Sequence, residues 1–140
     1  MNKLIAYVFF IPLLFISCAT KKTFQDINVE TVLKTTKSWN GNDLPRYSDG
    51  VPEITILKIT IPPKTSLKMH KHPFINAGIL TKGKLTVMTE TDQTLHLKKG
   101  DSISELVNIW HYGKNNGSKP AEIIVFYAGI KGKPITVLKD

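Results

Sequence analysis

The residues best equipped for chemistry are four histidines, His70, His72, His96 and His111. His70 and His72 form a His-x-His pair. On an extended strand alternate side chains share a face, so Lys68, His70 and His72 point one way and the two imidazoles converge on one spot. Leu67 and Met69 then take the opposite face, with the core. A third ligand must come from elsewhere in the chain. His111 follows the loop-like Val107-Asn108-Ile109-Trp110, whereas His96 sits in Leu95-His96-Leu97, where inward leucines turn its ring to solvent. Glu105 lies six positions before His111. Alternation with Ile103 turns it inward, as a metal ligand, a support for one, or a general base, the catalytic role assigned to it here; the opposing reading is a solvent-facing charge. Glu90 and Glu122 read as surface, and Trp110, Phe74 and Tyr127 as walls of a pocket or simple core. The chain has no serine or cysteine nucleophile motif, no phosphate-cradling glycine loop and no dinucleotide fingerprint.

The elements that must position these side chains are short. No window shows a clean helical period with a cap and a stop. Runs rich in Val, Ile, Thr and Leu recur instead, at Ile27–Thr35, Glu53–Ile61, Ser66–Lys71, Asn76–Thr81, Lys84–Glu90, Thr94–Lys98, Ser102–Glu105, Tyr112–Asn115 and Glu122–Ala128. Pro62-Pro63, Lys82-Gly83, Lys99-Gly100 and Asn116-Gly117 punctuate them. About eight short strands at this spacing predict an antiparallel sandwich or barrel.

The 140 residues suit one domain, and 41% hydrophobic content supports a core. The net charge of +8 comes from lysines and arginines spread singly or in pairs, which argues for a solvated surface rather than a phosphate-binding track, so nucleic acid is not an expected partner. Lys3 and the apolar run Leu4–Ile16 read as a secretory signal peptide, because thirteen residues fall short of the roughly 20 that span a bilayer. The run ends at Ser17-Cys18, which resembles a bacterial lipoprotein signal with Cys18 as the lipidated residue; Phe15 departs from the leucine usual at its position. An ordinary cleavable signal or an uncleaved anchor is the alternative. The expected organisation is a signal peptide over 1–17, a lipidated tether over 18–26 and a β-barrel domain over 27–140, exported and held at a membrane from outside the cytoplasm. Cys18 is the sole cysteine, so no intrachain disulfide supports the domain.

Residues His70-Lys71-His72-Pro73-Phe74-Ile75-Asn76, with Gly83 seven positions on, resemble the first motif of the cupin superfamily, and Gly100, His111 and Asn115 fall at the spacing of the second. The resemblance runs from about Ile54 to Ala128. Three positions depart from it: Asn76 stands where the first motif has glutamate, and Leu106 and Asn108 stand where the second has proline and glycine. The resemblance implies an all-β, cupin-type antiparallel β-barrel or jelly roll. It also implies a divalent metal held by His70, His72 and His111, with Asn76 at the carboxylate position. Three imidazoles suffice for a transition metal, and Fe, Mn, Ni, Co and Zn all suit such a set. Some cupins, including thiol dioxygenases, hold iron with three histidines and no glutamate.

The leading functional expectation is therefore a metal-dependent, dioxygenase-like cupin acting on a small molecule. A tethered, non-catalytic module that binds a small molecule or a metal is the alternative, and a metal-free sugar isomerase is a third reading. The resemblance further implies a homodimer paired through its sheets, with Ile27–Thr35 a candidate for that pairing.

Overall fold

The computed structural model describes residues 27–140, so the signal peptide, Cys18 and the tether to residue 26 lie outside the described residues. Residues 27–30 have no regular secondary structure, and Thr31–Asp140 form one compact unit. That unit contains ten strands: β1 (Pro52–Ile61), β2 (Thr65–Ser66), β3 (His70–Lys71), β4 (Asn76–Lys82), β5 (Lys84–Thr89), β6 (Thr94–Lys98), β7 (Ser102–Ser104), β8 (His111–Asn115), β9 (Ala121–Ile130) and β10 (Val137–Leu138). Among the described residues there is no helix.

The strands form two antiparallel sheets, in the orders β1-β9-β4-β7 and β10-β3-β8-β5-β6, with β2 on the flank of β8. Every neighbour is distant in sequence except the β5–β6 hairpin. This is an all-β antiparallel architecture, as the strand pattern predicts, and the jelly roll that the family resemblance implies.

Period-2 alternation decides what lies between the sheets. In β9, Ala121, Ile123, Val125 and Tyr127 point inward and are buried, while Ile124 and Phe126 face out. Leu85 and Val87 of β5, Leu80 of β4 and Ile61 of β1 complete the apolar core. At about 25 cal/mol per Å² of buried apolar surface, such a layer is what holds a unit that has no disulfide.

Three motif positions, Gly83 and Asn115 that match it and Asn108 that departs from it, shape the connections. Gly83 turns β4 into β5 with φ of 74°, and a Cβ there would sit 2.7 Å from the carbonyl oxygen of Pro120, so only glycine fits. Asn108, in the place of the motif's second glycine, also adopts a left-handed conformation, with φ of 57°. Asparagine is among the few side chains that tolerate this region, so the turn survives the exchange. Asn115, the motif asparagine, is fully buried. Its Nδ2 donates to the carbonyls of Ile61, Pro62 and Lys119, and its Oδ1 accepts from the Gly117 amide, tying the end of β1 to the β8–β9 loop.

The strand expected over Ile27–Thr35 does not form. From Thr31 to Thr35 the chain is irregular, with the Ser102 hydroxyl donating to the Val32 carbonyl at 2.8 Å. β-Branched composition favours a strand only where a partner edge supplies the ladder, and this segment pairs with none. The run Ser66–Lys71 is likewise broken, into β2 and β3. Leu67 packs against the core as expected, but it also lines the internal cavity alongside Lys68, so the two do not take separate faces.

Candidate metal centre

His70 on β3 stands directly opposite His111 on β8, so strand register alone juxtaposes two imidazoles. His72 follows one residue past β3, where an isolated parallel bridge to Val107 holds its backbone. The ring centroids lie 4.6 to 5.1 Å apart, and one ring nitrogen from each lies within 4.8 Å of the others.

The orientation of the rings is set by the backbone. Nδ1–H of His70 donates to the Lys68 carbonyl at 2.7 Å, that of His72 to the Ile135 carbonyl at 3.0 Å, and that of His111 to the Ile109 carbonyl at 2.8 Å. Three carbonyl acceptors fix three identical tautomers, leaving each Nε2 as a bare lone pair. His72 and His111 are almost completely buried, and burial chiefly lowers the pKa of each to about 4, with a neighbouring imidazole adding to the effect. Neutral, lone-pair-bearing imidazoles are the form that binds a metal.

Across from the histidines, the other sheet presents a row of three polar side chains. The register pairs Asn76 with Tyr127, and one step beyond the Ala77–Ser104 pair sets Glu105 opposite Asn76. The Glu105 amide donates to the Asn76 carbonyl at 3.0 Å. Burial pushes the Glu105 carboxyl up to about 7, against an opposing contribution from the Leu106 amide. Burial, and then the Glu105 charge, push the Tyr127 hydroxyl to about 12. Glu105 Oε2 lies 3.6 Å from His111 Nε2, beyond hydrogen-bond range.

Three buried polar atoms among the described side chains of this site have no hydrogen-bond partner: Asn76 Oδ1, Glu105 Oε2 and His111 Nε2. Each such orphan costs roughly 1–3 kcal/mol. A divalent cation among them satisfies acceptors that no protein donor reaches, so the donor set fits a metal. Its charge also favours the ionised carboxylate and the neutral imidazole, offsetting the burial that neutralises Glu105.

The centre opens into a cavity of about 340 Å³ between the sheets. Its walls are mostly aliphatic, including Ile59, Leu85, Val87 and Val125, with Tyr127 and Thr136 near the histidines and the exposed Lys68 among its lining residues. That volume accommodates a small organic molecule.

His70, His72, His111, Asn76, Glu105 and Tyr127 thus come together, with Glu105 facing inward. His96 is exposed on β6, with Nδ1 3.1 Å from the Thr86 hydroxyl. Trp110 is stacked beneath Lys71 and Lys139 and does not line the cavity, and Phe74 lines a separate depression. The contribution that sequence reasoning missed is the C-terminal segment. Ile135 supplies the acceptor for His72, and β10 pairs with the histidine strand β3. The run Ile135-Thr136-Val137-Leu138 after Lys133-Pro134 carried the signal for it.

The titration of the site gives a testable pH dependence for the chelated protein. The lowered pKa values of His72 and His111 mean that the unfolded chain takes up protons first as pH falls below 6.5, so their contribution to stability drains away between about 6.5 and 4. The raised pKa of Glu105 acts in the opposite sense: its contribution is full below 4.5 and lost as pH rises through about 7. Two histidines outweigh one carboxyl, so these groups place maximal stability near pH 6.5 and lower the melting temperature on acidification. In Glu105→Gln the opposing contribution is gone and the fall from 6.5 to 4.5 is steeper. Melting curves from pH 4 to 8 check this, and a profile flat across that range would contradict it.

Two antiparallel sheets enclosing a three-histidine cluster, with His72 and His111 buried and His70 partly so, define a histidine-centred double-stranded β-helix. A family model described as a cupin domain matches residues 57–127, half of the chain, and the chain belongs to the cupin family.

Solved structures agree on the fold. A Klebsiella pneumoniae protein with a double-stranded β-helix domain superposes with a TM-score of 0.54 at 19% identity, covering 68% of this chain and 90% of that one. The DMSP lyase DddQ from Ruegeria pomeroyi superposes at 0.54 and 17% identity, covering 61% of this chain and 43% of the lyase. An oxalate oxidase in complex with glycolate superposes at 0.53 and 18% identity, covering 61% and 45%. The chain thus spans less than half of these two enzymes. Comparison with curated protein sequences gives no match.

Proposed function

We propose that this protein is a metal-dependent cupin lipoprotein that carries out a dioxygenase-like reaction on a small molecule, with His70, His72 and His111 as metal ligands. The observation that carries the reading is the set of three Nδ1–H···O=C bonds, which commit one nitrogen of each ring to the backbone and leave the other to converge beside an aliphatic cavity. A divalent Fe, Mn, Ni, Co or Zn ion there supplies Lewis acidity and open coordination positions. Dioxygenation places both atoms of O₂ in the product, so it balances without an external reductant. The aliphatic walls desolvate the apolar body of a substrate whose one polar group reaches the histidines, and Tyr127 and Thr136 orient that group. The solved oxalate oxidase and DMSP lyase support a small-molecule reaction on this fold.

Export and anchoring through Cys18 belong to the same proposal, supported by the apolar run that ends at that residue. A homodimer does too, supported by the outward-facing Ile54 and Ile56 on the edge strand β1, which are 59% and 64% exposed.

The test is oxygen consumption by protein reconstituted anaerobically with Fe(II), against a panel of apolar carboxylates, diketones and thiols. Uptake that depends on one substrate class and vanishes in His111→Ala is the expected result. Saturable ligand binding without any uptake would instead favour the tethered binding module, a reading that the amide at Asn76, in place of the motif's carboxylate, also supports.

A further inference from the structure

We propose that Glu105 is the fourth metal ligand, supplying from the residue just after β7 the carboxylate that Asn76 lacks on β4. The inference rests on the metal-centre reading above and assigns the ligand that reading leaves open. Asn76 and Glu105 face each other across the β4–β7 pairing, on the sheet face that looks at the histidines. Opposed residues in an antiparallel pair have Cα atoms only about 4.5–5.5 Å apart. A carboxylate moved sideways by one strand, on a side chain one methylene longer than asparagine, therefore reaches the same space.

Both side chains leave an acceptor oxygen without a hydrogen-bond partner, Asn76 Oδ1 and Glu105 Oε2, but only the carboxylate can carry charge. The Asn76 amide is tethered, its Nδ2 donating to the Phe74 carbonyl at 3.1 Å. Glu105 is 8% exposed, and its Oε2 has no hydrogen-bond partner. That oxygen sits 3.6 Å from His111 Nε2. Adjacent donors bound to one ion at about 2.0–2.2 Å stand roughly 3.0–3.5 Å apart, so a few tenths of an ångström separates this pair from a shared coordination shell.

Charge argues the same way. A divalent ion on three neutral imidazoles and an amide is a buried charge of two, in a cavity walled by aliphatic side chains. A carboxylate within reach halves that charge, and the cost of burying charge rises steeply with its size. Among the described residues, Glu105 is the one carboxylate that lines this cavity. Its backbone is also fixed on both sides, the amide by Asn76 and the carbonyl by the Ser38 hydroxyl at 2.8 Å.

Titration of the full chain with Co(II), read by visible absorption and by competition with a chromophoric chelator, tests the assignment. Glu105→Gln should weaken Co(II) binding by about 10–100-fold or more, since even partners that only orient a ligand are worth that much, and it should shift the ligand-field bands. Asn76→Ala should weaken binding by clearly less than Glu105→Gln, because the amide oxygen it removes is neutral and a weaker donor than a carboxylate. Asn76→Glu/Glu105→Gln, which returns the carboxylate to β4, should recover most of the loss.

Wild-type affinity and an unchanged spectrum in Glu105→Gln would overturn the proposal. So would the loss falling on Asn76→Ala, and that variant decides alone if Glu105→Gln does not fold. A wild-type chain that takes up no Co(II) removes the metal centre itself, a failure distinct from wild-type binding that ignores Glu105.

Discussion

Replacing His70 and His72 together by alanine is expected to lower the affinity for a divalent transition metal by more than about a thousandfold, because groups that merely orient a ligand already account for 10–100-fold each and here two direct donors disappear. The fold should survive the change. The apolar cluster built on Ile61, Leu80, Leu85, Val87 and Val125 contains neither histidine, and the register of β4 with β9 and of β5 with β8 does not involve them. The metal-free variant should therefore melt cooperatively and lose only the His72 share of the acid sensitivity. Far-UV circular dichroism and a chelator-competition titration on the same sample separate loss of metal from loss of fold. Retained tight binding in a folded double variant would place the metal somewhere other than between the two sheets.

Metal loading is expected to raise the melting temperature of the wild type by about 15 °C when the free ion stands at about a thousand times its dissociation constant. Linkage gives about 4 kcal/mol under those conditions, and a unit of this size gains roughly 4 °C per kcal/mol. The local reason is that native Asn76 Oδ1, Glu105 Oε2 and His111 Nε2 are buried without partners, so the metal-free fold carries a cost that the ion relieves. A chelator should reverse the shift, and the gain should shrink as pH falls towards the pKa values near 4 of His72 and His111, where protons compete for the same lone pairs. A melting temperature unmoved by excess metal and by chelation would mean that the cluster is not a metal site.

Much of this arrangement was legible from local pattern. Alternation in Leu95-His96-Leu97 excluded His96, and the spacing of Gly100, His111 and Asn115 picked out the histidine that completes the cluster. Period 2 also turned Glu105 inward with Ile103. The same rule put Leu67 with the core, where it packs, but wrongly separated it from Lys68, since both line the cavity where the chain breaks between β2 and β3.

The illegible features are non-local. Nothing in the chain around Asn76 announces that Glu105 will lie opposite it, since that follows from the β4–β7 register across an intervening hairpin. Nothing around His72 announces that its tautomer is set by a carbonyl 63 residues away. Ile27–Thr35 failed for the complementary reason: its residues favour a strand, but strands exist only in pairs. The left-handed turn at Asn108 falls between these cases. The motif position was visible, and asparagine's tolerance of positive φ explains why the loss of glycine leaves the loop in place.

The central claim is that His70, His72 and His111 hold a divalent transition metal. Elemental analysis of the full chain, purified without chelators or a metal-affinity tag beside the His70→Ala/His72→Ala variant, tests it most directly. The account predicts close to one equivalent of iron, manganese, nickel, cobalt or zinc per chain in the wild type and none in the variant. An absence of all five metals from the wild type, persisting after anaerobic reconstitution with each, would contradict it.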